Sequence, residues 1–88
     1  MRRSRRANPD RNQAAIVEAL RAAGWLVAST TEVGSGFPDL LAFKPSTGVW
    51  KLIEVKQPNK PLKPSQVSFQ EQGWRVSVVR SVDEALAL

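Results

Sequence analysis

The absence of cysteine is the strongest constraint on how this chain can fold. The chain has 88 residues, which suffice for one domain with a small hydrophobic core. Neither a disulfide nor a thiolate metal site can reinforce that core. We therefore expect a very compact domain or one joined to a partner, and a homodimer is the simplest such arrangement.

Histidine is absent as well. The chain thus lacks the commonest general base and the commonest ligand of transition metals. Any metal site must be built from oxygen atoms, which favours Mg²⁺, Mn²⁺ or Ca²⁺.

Positive charge is concentrated at the N-terminus. Residues 1–11 hold five arginines against Asp10, which gives +4 of the total +5, whereas the other 77 residues hold eight basic and seven acidic side chains. We read residues 1–7 as a basic, disordered arm and residues 8–88 as one domain. Such an arm suits phosphate contact, although a solubilising tail has the same composition. The phosphate-contact candidates are Arg2, Arg3, Arg5 and Arg6.

No apolar run approaches the ~20 residues of a membrane span, and the N-terminus lacks the apolar core of a signal peptide. We expect a soluble intracellular protein that has no membrane partner.

Hydrophobic periodicity and turn residues predict an α/β fold with the order α-β-β-β-α-β-α. Asn8-Pro9-Asp10 opens a helix that Gly24 ends, and Ser81-Val82-Asp83-Glu84 is a capping box that opens the last helix, through Leu88. The predicted strands are Trp25 to Thr31, Leu40 to Phe43, Val49 to Gln57 and Trp74 to Val79, and the middle helix runs from Pro64 to about Gln72.

The third strand carries charge on an apolar face. Its alternation places Trp50, Leu52, Glu54 and Lys56 on one side of the sheet. A solvated cross-strand ion pair is the simplest reading of Glu54 and Lys56. Trp50 and Leu52 favour burial, so we expect this face to be at least partly covered.

Asp39 can join that pair. It follows Pro38 and opens the second strand, and a hairpin at residues 45–48 would bring it to the end of the sheet that holds Glu54 and Lys56. Two adjacent carboxylates repel each other unless a cation lies between them. A divalent metal with a lysine beside it can hydrolyse a phosphodiester without histidine.

The spacing of Asp39, Glu54 and Lys56 resembles that of the Pro-Asp…(Asp/Glu)-X-Lys nuclease superfamily. The longer pattern resembles the virus-type replication-repair nuclease (VRR-NUC) domain, in its stand-alone phage or prophage form. That pattern comprises Gly34-X-Gly36-X-Pro38-Asp39-Leu40-Leu41, Leu52-Ile53-Glu54-Val55-Lys56, Leu62-X-Pro64-X-Gln66 and Val78-Val79-X-Ser81-Val82-Asp83-Glu84-Ala85, with Asn12-Gln13 and Ile16-Val17 before it.

The resemblance implies a restriction-endonuclease-like core, with helices flanking a mixed sheet. It implies that Asp39, Glu54 and the Val55 carbonyl bind Mg²⁺ or Mn²⁺, that Lys56 is the catalytic lysine, and that Gln66 lies beside the site. Lys60 and Lys63 are loop charges that can contact phosphate. Lys63 departs from the family, whose members tend to have Ser or Thr there to cap the helix.

The family often supplies an acid from the first helix to complete the metal shell, and this chain does not match that feature. The helical wheel places Asn12 and Gln13 toward the apolar stripe and Glu18 away from it. We favour Gln13 as the counterpart over Asp10 and Glu18.

These features together predict a metal-dependent DNA endonuclease, acting as a homodimer on DNA that can be branched. No small-molecule cofactor is expected, and the compartment would be the cytoplasm of a bacterium or a phage-infected host. Two alternatives stay open: a DNA-binding module that has lost cleavage, and a small assembly protein with an RNA-binding arm.

Overall fold

The computed structural model describes residues 8–88, with side chains from Asn12 onward. The predicted arm, with Arg2, Arg3, Arg5 and Arg6, lies outside the described residues. The elements are α1 (Asn8–Ala22), β1 (Leu26–Ser29), β2 (Leu40–Lys44), β3 (Val49–Val55), α2 (Pro64–Glu71), β4 (Val76–Val79) and α3 (Val82–Leu86), with a 3₁₀ turn at Thr31–Val33. The predicted order α-β-β-β-α-β-α is confirmed.

The four strands form one mixed sheet in the order β1-β2-β3-β4. β1 with β2 and β2 with β3 are antiparallel, whereas β3 and β4 are parallel. The parallel pair requires a crossover, which α2 and its flanking loops provide. The predicted mixed sheet flanked by helices is therefore confirmed.

The hydrophobic core lies between one face of the sheet and the helices α1 and α3, which pack against each other. Ile16 and Leu20 of α1 are fully buried against Leu40 and Ile53 of the sheet. Ile16 and Leu20 are four residues apart, so they form one stripe along the helix. This packing fixes the position of α1 relative to the end of β3. Among residues 8–88, no helix is long and apolar enough to cross a bilayer.

The opposite face of the sheet is covered at one end only. Cross-strand pairing places Leu26, Phe43 and Trp50 side by side there, and Leu26 and Trp50 are 62% and 63% exposed. The expectation that Trp50 favours burial is wrong for this end of the strand. Glu54, on the same face, is buried because α2 lies beside it and contacts it.

The first strand is shorter than predicted and ends at Ser29. The strand ends because the backbone of Thr30 turns (φ −121°, ψ 19°) into the 3₁₀ segment. Its N–H still donates to the Asp39 carbonyl, in the register of the β1–β2 pair, and its hydroxyl donates to the Pro38 carbonyl, each over 2.7 Å. One of the two hydrogen bonds of the predicted capping box forms at the start of α3. The Glu84 N–H donates to Ser81 Oγ over 3.1 Å.

Candidate active site

Asp39 is held in place at the start of β2. Its Oδ2 accepts a hydrogen bond from the Val55 N–H over 2.9 Å. The regular pairing of β2 with β3 stops at Leu40 opposite Ile53. The Asp39 side chain therefore binds β3 beyond the point where backbone pairing ends, while Thr30 holds the backbone of Pro38 and Asp39 from the other side. Sequence reasoning missed Thr30, because a threonine after a β-branched run reads as more strand.

Glu54 is a buried carboxyl group next to a second one. Its side chain is 3% exposed. The pKa of Glu54 is raised to about 8, chiefly by burial and then by the negative charge of Asp39 and a hydrogen bond with its carboxylate, while Lys56 and Lys63 act in the opposite direction. The structure thus brings Asp39, Glu54 and Lys56 together, as their spacing predicts.

Gln66 joins α2 to this carboxyl pair. Its Nε2 donates to Glu54 Oε2 over 2.8 Å, and its Oε1 accepts from the Lys63 backbone N–H, also over 2.8 Å. A capping box has two hydrogen bonds, and the bond to Gln66 Oε1 is the one in which the N3 side chain accepts from the N-cap N–H. The other bond is missing, because the lysine side chain at the N-cap has no acceptor atom. Both ends of the Gln66 amide are engaged, and its orientation toward Glu54 is therefore defined.

Gly36 allows the loop before Asp39 to approach α2 closely. It has φ +81°, and a Cβ placed there would lie 2.3 Å from the Ser65 carbonyl oxygen. Any other residue would collide with the first turn of α2 and would also strain the backbone. Close contact between this loop and α2 is what sets Gln66 over the end of β3.

Lys56 follows directly after β3. Its backbone N–H donates to the Val79 carbonyl over 3.0 Å, and its own carbonyl accepts from Asn12 Nδ2 over 3.2 Å. The side chain is half buried and lies near enough to Glu54 to favour the charged carboxylate. Three elements, β3, β4 and α1, therefore meet at this lysine.

The helix α1 contributes Asn12 to this region. Gln13 is half buried, and no hydrogen bond between described side chains joins it to Asp39, Glu54 or Lys56. Glu18 is exposed, as the helical wheel predicts, and the Asp10 side chain lies outside the described residues. The helical wheel directs both Asn12 and Gln13 toward the core. Only the packing of α1 on the sheet decides which of the two forms a hydrogen bond with Lys56.

The donor atoms gathered here suit a hard divalent cation. From Asn12 onward, the described acidic side chains form no cluster of three; the site has the Asp39 and Glu54 carboxylates. In a strand, the N–H and C=O of one residue point to the same side, so the Val55 carbonyl points to the side where its N–H meets Asp39. Two repelling carboxylates, one of them buried, with a carbonyl on that side form an oxygen-only set that fits Mg²⁺ or Mn²⁺.

One of the two predicted loop lysines lies near the carboxyl pair. Lys63 is exposed, yet it is close enough to Glu54 to lower the pKa of that carboxyl. Lys60 is exposed as well, and its carbonyl accepts a hydrogen bond from the Arg80 guanidinium over 2.8 Å. Lys63 can therefore extend into solvent beside the carboxyl pair.

Comparisons with known proteins agree with this fold. The family model of the VRR-NUC domain matches residues 4–83. A solved structure described as a VRR_NUC domain is similar at a TM-score of 0.68 with 36% identity, over 91% of each chain. A search of curated proteins gave no match. The chain therefore belongs to the VRR-NUC family of nuclease domains.

Proposed function

We propose that this chain is a Mg²⁺- or Mn²⁺-dependent deoxyribonuclease that hydrolyses phosphodiester bonds within DNA. The observation that carries the proposal is the Asp39–Glu54 carboxyl pair, in which Glu54 is buried, with Lys56 beside it. Two adjacent carboxylates weaken a fold unless a proton or a cation relieves their repulsion. Membership in a nuclease domain family supports the same conclusion.

Each residue has a distinct part in the proposed reaction. Asp39, Glu54 and the Val55 carbonyl would hold the divalent ion, which when bound supplies an activated water and neutralises charge on the phosphate. Gln66 holds one Glu54 oxygen through its amide, which leaves the other oxygen for the ion. Lys56 orients the attacking water and donates hydrogen bonds to the phosphate oxygens as their negative charge grows.

DNA would be held by its backbone. Lys63 lies near Glu54, and Lys60 is exposed in the same loop. The arginines of the N-terminal arm, Arg2, Arg3, Arg5 and Arg6, would add contacts to phosphates farther along. Phosphate contacts position DNA without reading its sequence, so we propose selection by DNA shape.

The decisive experiment incubates the protein with linear, flapped and four-way branched DNA in Mg²⁺, in Mn²⁺ and in EDTA. We expect cleavage that depends on the metal and is lost in Asp39→Asn and in Lys56→Ala. Lys51→Ala is the matched control, because Lys51 is on β3 but on its opposite face. Cleavage by both site variants at the wild-type rate would show that the site is wrong. Metal-independent binding with no cleavage would instead support a DNA-binding module.

We further propose that the protein acts as a homodimer through the uncovered apolar face of the sheet. This face is formed by Leu26, Ala28, Leu41, Phe43 and Trp50. The rings of Phe43 and Trp50 contact each other, with centroids 4.3 Å apart and planes tilted by 34°, and Trp50 alone leaves on the order of 150 Å² exposed.

We propose a second copy of the chain as the binding partner of this face. The patch has no charged member, so its partner must be apolar too, and the same patch on another copy meets that need under two-fold symmetry. On the order of 400 Å² per copy is within the range of the largest apolar patches of single domains, which are often functional, and it fits the apolar centre of an interface of roughly 1,200–1,600 Å². A dimer would present two sites, which suits a branched substrate.

Sedimentation tests this face separately from activity. We expect Leu26→Lys to convert a dimer to a monomer, whereas Val33→Lys leaves the mass unchanged. Val33 is the matched control, because it is 60% exposed but lies in the 3₁₀ turn outside the sheet. A wild-type monomer at micromolar concentration, or a Leu26→Lys dimer, contradicts this part of the proposal.

A further inference from the structure

The backbone carbonyl of Lys56 lies beyond the end of the sheet. β3 ends at Val55 and β4 at Val79, and the Lys56 N–H makes the final bond between them, to the Val79 carbonyl. If this parallel ladder continued, the N–H of residue 81 would bind the Lys56 carbonyl next. Ser81 is instead the N-cap of α3. The carbonyl therefore needs a donor from outside the sheet.

Asn12 provides that donor. Its Nδ2 lies 3.2 Å from the Lys56 carbonyl oxygen, in a partly buried contact between residues 44 positions apart. Ile16 and Leu20, one and two turns farther along α1, are fully buried in the core. The packing of these two residues fixes α1, and it thereby fixes the place from which Asn12 reaches Lys56.

We propose that Asn12 is a positioning residue for Lys56 and that it acts through the backbone of the lysine. A lysine side chain is a flexible stem of four carbons, so the place of its ammonium group depends on how firmly its backbone is held. With Val79 binding the N–H and Asn12 binding the carbonyl, the Lys56 peptide groups are fixed on both sides. This inference rests on the proposed nuclease function, and it adds a residue that touches no reacting group.

A substitution at Asn12 that keeps the shape of the side chain but removes its hydrogen-bond donor distinguishes a positioning residue from a metal ligand. Asn12→Asp retains the size of the side chain, yet a carboxylate cannot donate a hydrogen bond to a carbonyl. A positioning role predicts that Asp is as damaging as Ala. A position that served to bind the metal would instead gain affinity when given a carboxylate.

The experiment compares Asn12→Ala and Asn12→Asp in the full chain with Glu18→Ala as the control, because Glu18 is exposed on the same helix. We expect both Asn12 variants to cut DNA about tenfold more slowly at saturating DNA and metal, since small displacements of a catalytic group have large effects on rate. KM and Mn²⁺ affinity, followed by electron paramagnetic resonance, should stay within about twofold of wild type. The Gln57 amide signal should shift in the nuclear magnetic resonance spectrum, because its nitrogen is bonded to the Lys56 carbonyl carbon. Glu18→Ala should match wild type throughout.

Three results would overturn the inference. Tighter Mn²⁺ binding by Asn12→Asp would make this position a metal site. A wild-type cutting rate in both Asn12 variants, or a loss of rate that follows a loss of cooperative unfolding, would leave Asn12 without a positioning role. A wild-type protein that cuts no DNA would refute the proposed function itself, so the two failures are distinguishable.

Discussion

Replacing Glu54 with glutamine should stabilise the metal-free protein, although it removes a proposed metal ligand. The pKa of Glu54 rises from its ordinary value of 4.5 to about 8 in the folded protein, chiefly because the carboxyl is buried and secondly because Asp39 lies beside it. Folding at neutral pH therefore requires this group to take up a proton. Glutamine is already neutral: its amide can donate to Asp39 and its oxygen can accept from Gln66, as the protonated carboxyl does.

The magnitude follows from linkage between folding and proton uptake. Below about pH 4.5 the carboxyl is protonated in both states, and its contribution to stability is fully present. Between pH 4.5 and about 8 that contribution falls as the pH rises, by about 1.4 kcal/mol per unit. We therefore expect Glu54→Gln to exceed wild type by roughly 3 kcal/mol at pH 7 and by almost nothing at pH 4.5.

Urea unfolding in EDTA from pH 4.5 to 9 measures this difference directly. Glu71→Gln is the control, because Glu71 is exposed at the end of α2, and it should track wild type at every pH. Repeating the series in Mg²⁺ should stabilise wild type more at pH 8 than at pH 5, since the proton and the ion compete, and should leave Glu54→Gln nearly unchanged. The reasoning fails if the gap between Glu54→Gln and wild type does not widen as the pH rises from 5 to 8.

Further predictions concern the loop, the last helix and the response to metal. Gly36→Ala should lower the free energy of unfolding by several kcal/mol, because its Cβ would meet the Ser65 carbonyl. Gly48→Ala is the control, since Gly48 has a similar φ but open space around it, and it should cost far less. Equal losses in urea unfolding would contradict the close approach of the loop to α2. Ser81→Ala should cost about 1 kcal/mol through loss of the bond from the Glu84 N–H, measured in the same way. Chelation of divalent ions should lower the melting temperature of wild type at pH 8, and an unchanged melting temperature would argue against a metal at the carboxyl pair.

The sequence by itself determined the order of the elements and the identity of the acidic and basic residues that converge. Alternation in β3 and the hairpin before it were enough to place Asp39, Glu54 and Lys56 at one end of a sheet. Such patterns are local, because propensity and periodicity describe one strand, helix or turn at a time. The lengths of the elements do not follow from such patterns: β1 ends early because the backbone of Thr30 turns into the 3₁₀ segment Thr31–Val33.

Only the tertiary structure decided which residues of other elements each helix or strand contacts. Helical periodicity could not choose between Asn12 and Gln13, because both lie near the core-facing stripe of α1; the packing of α1 on the sheet directs Asn12 to the Lys56 carbonyl. Glu54 and Trp50 occupy one face of one strand, yet the first is buried under α2 and the second is exposed. A chain without cysteine required either a compact fold or a partner. The structure has a small core on one face of the sheet, and part of the other face is apolar and uncovered.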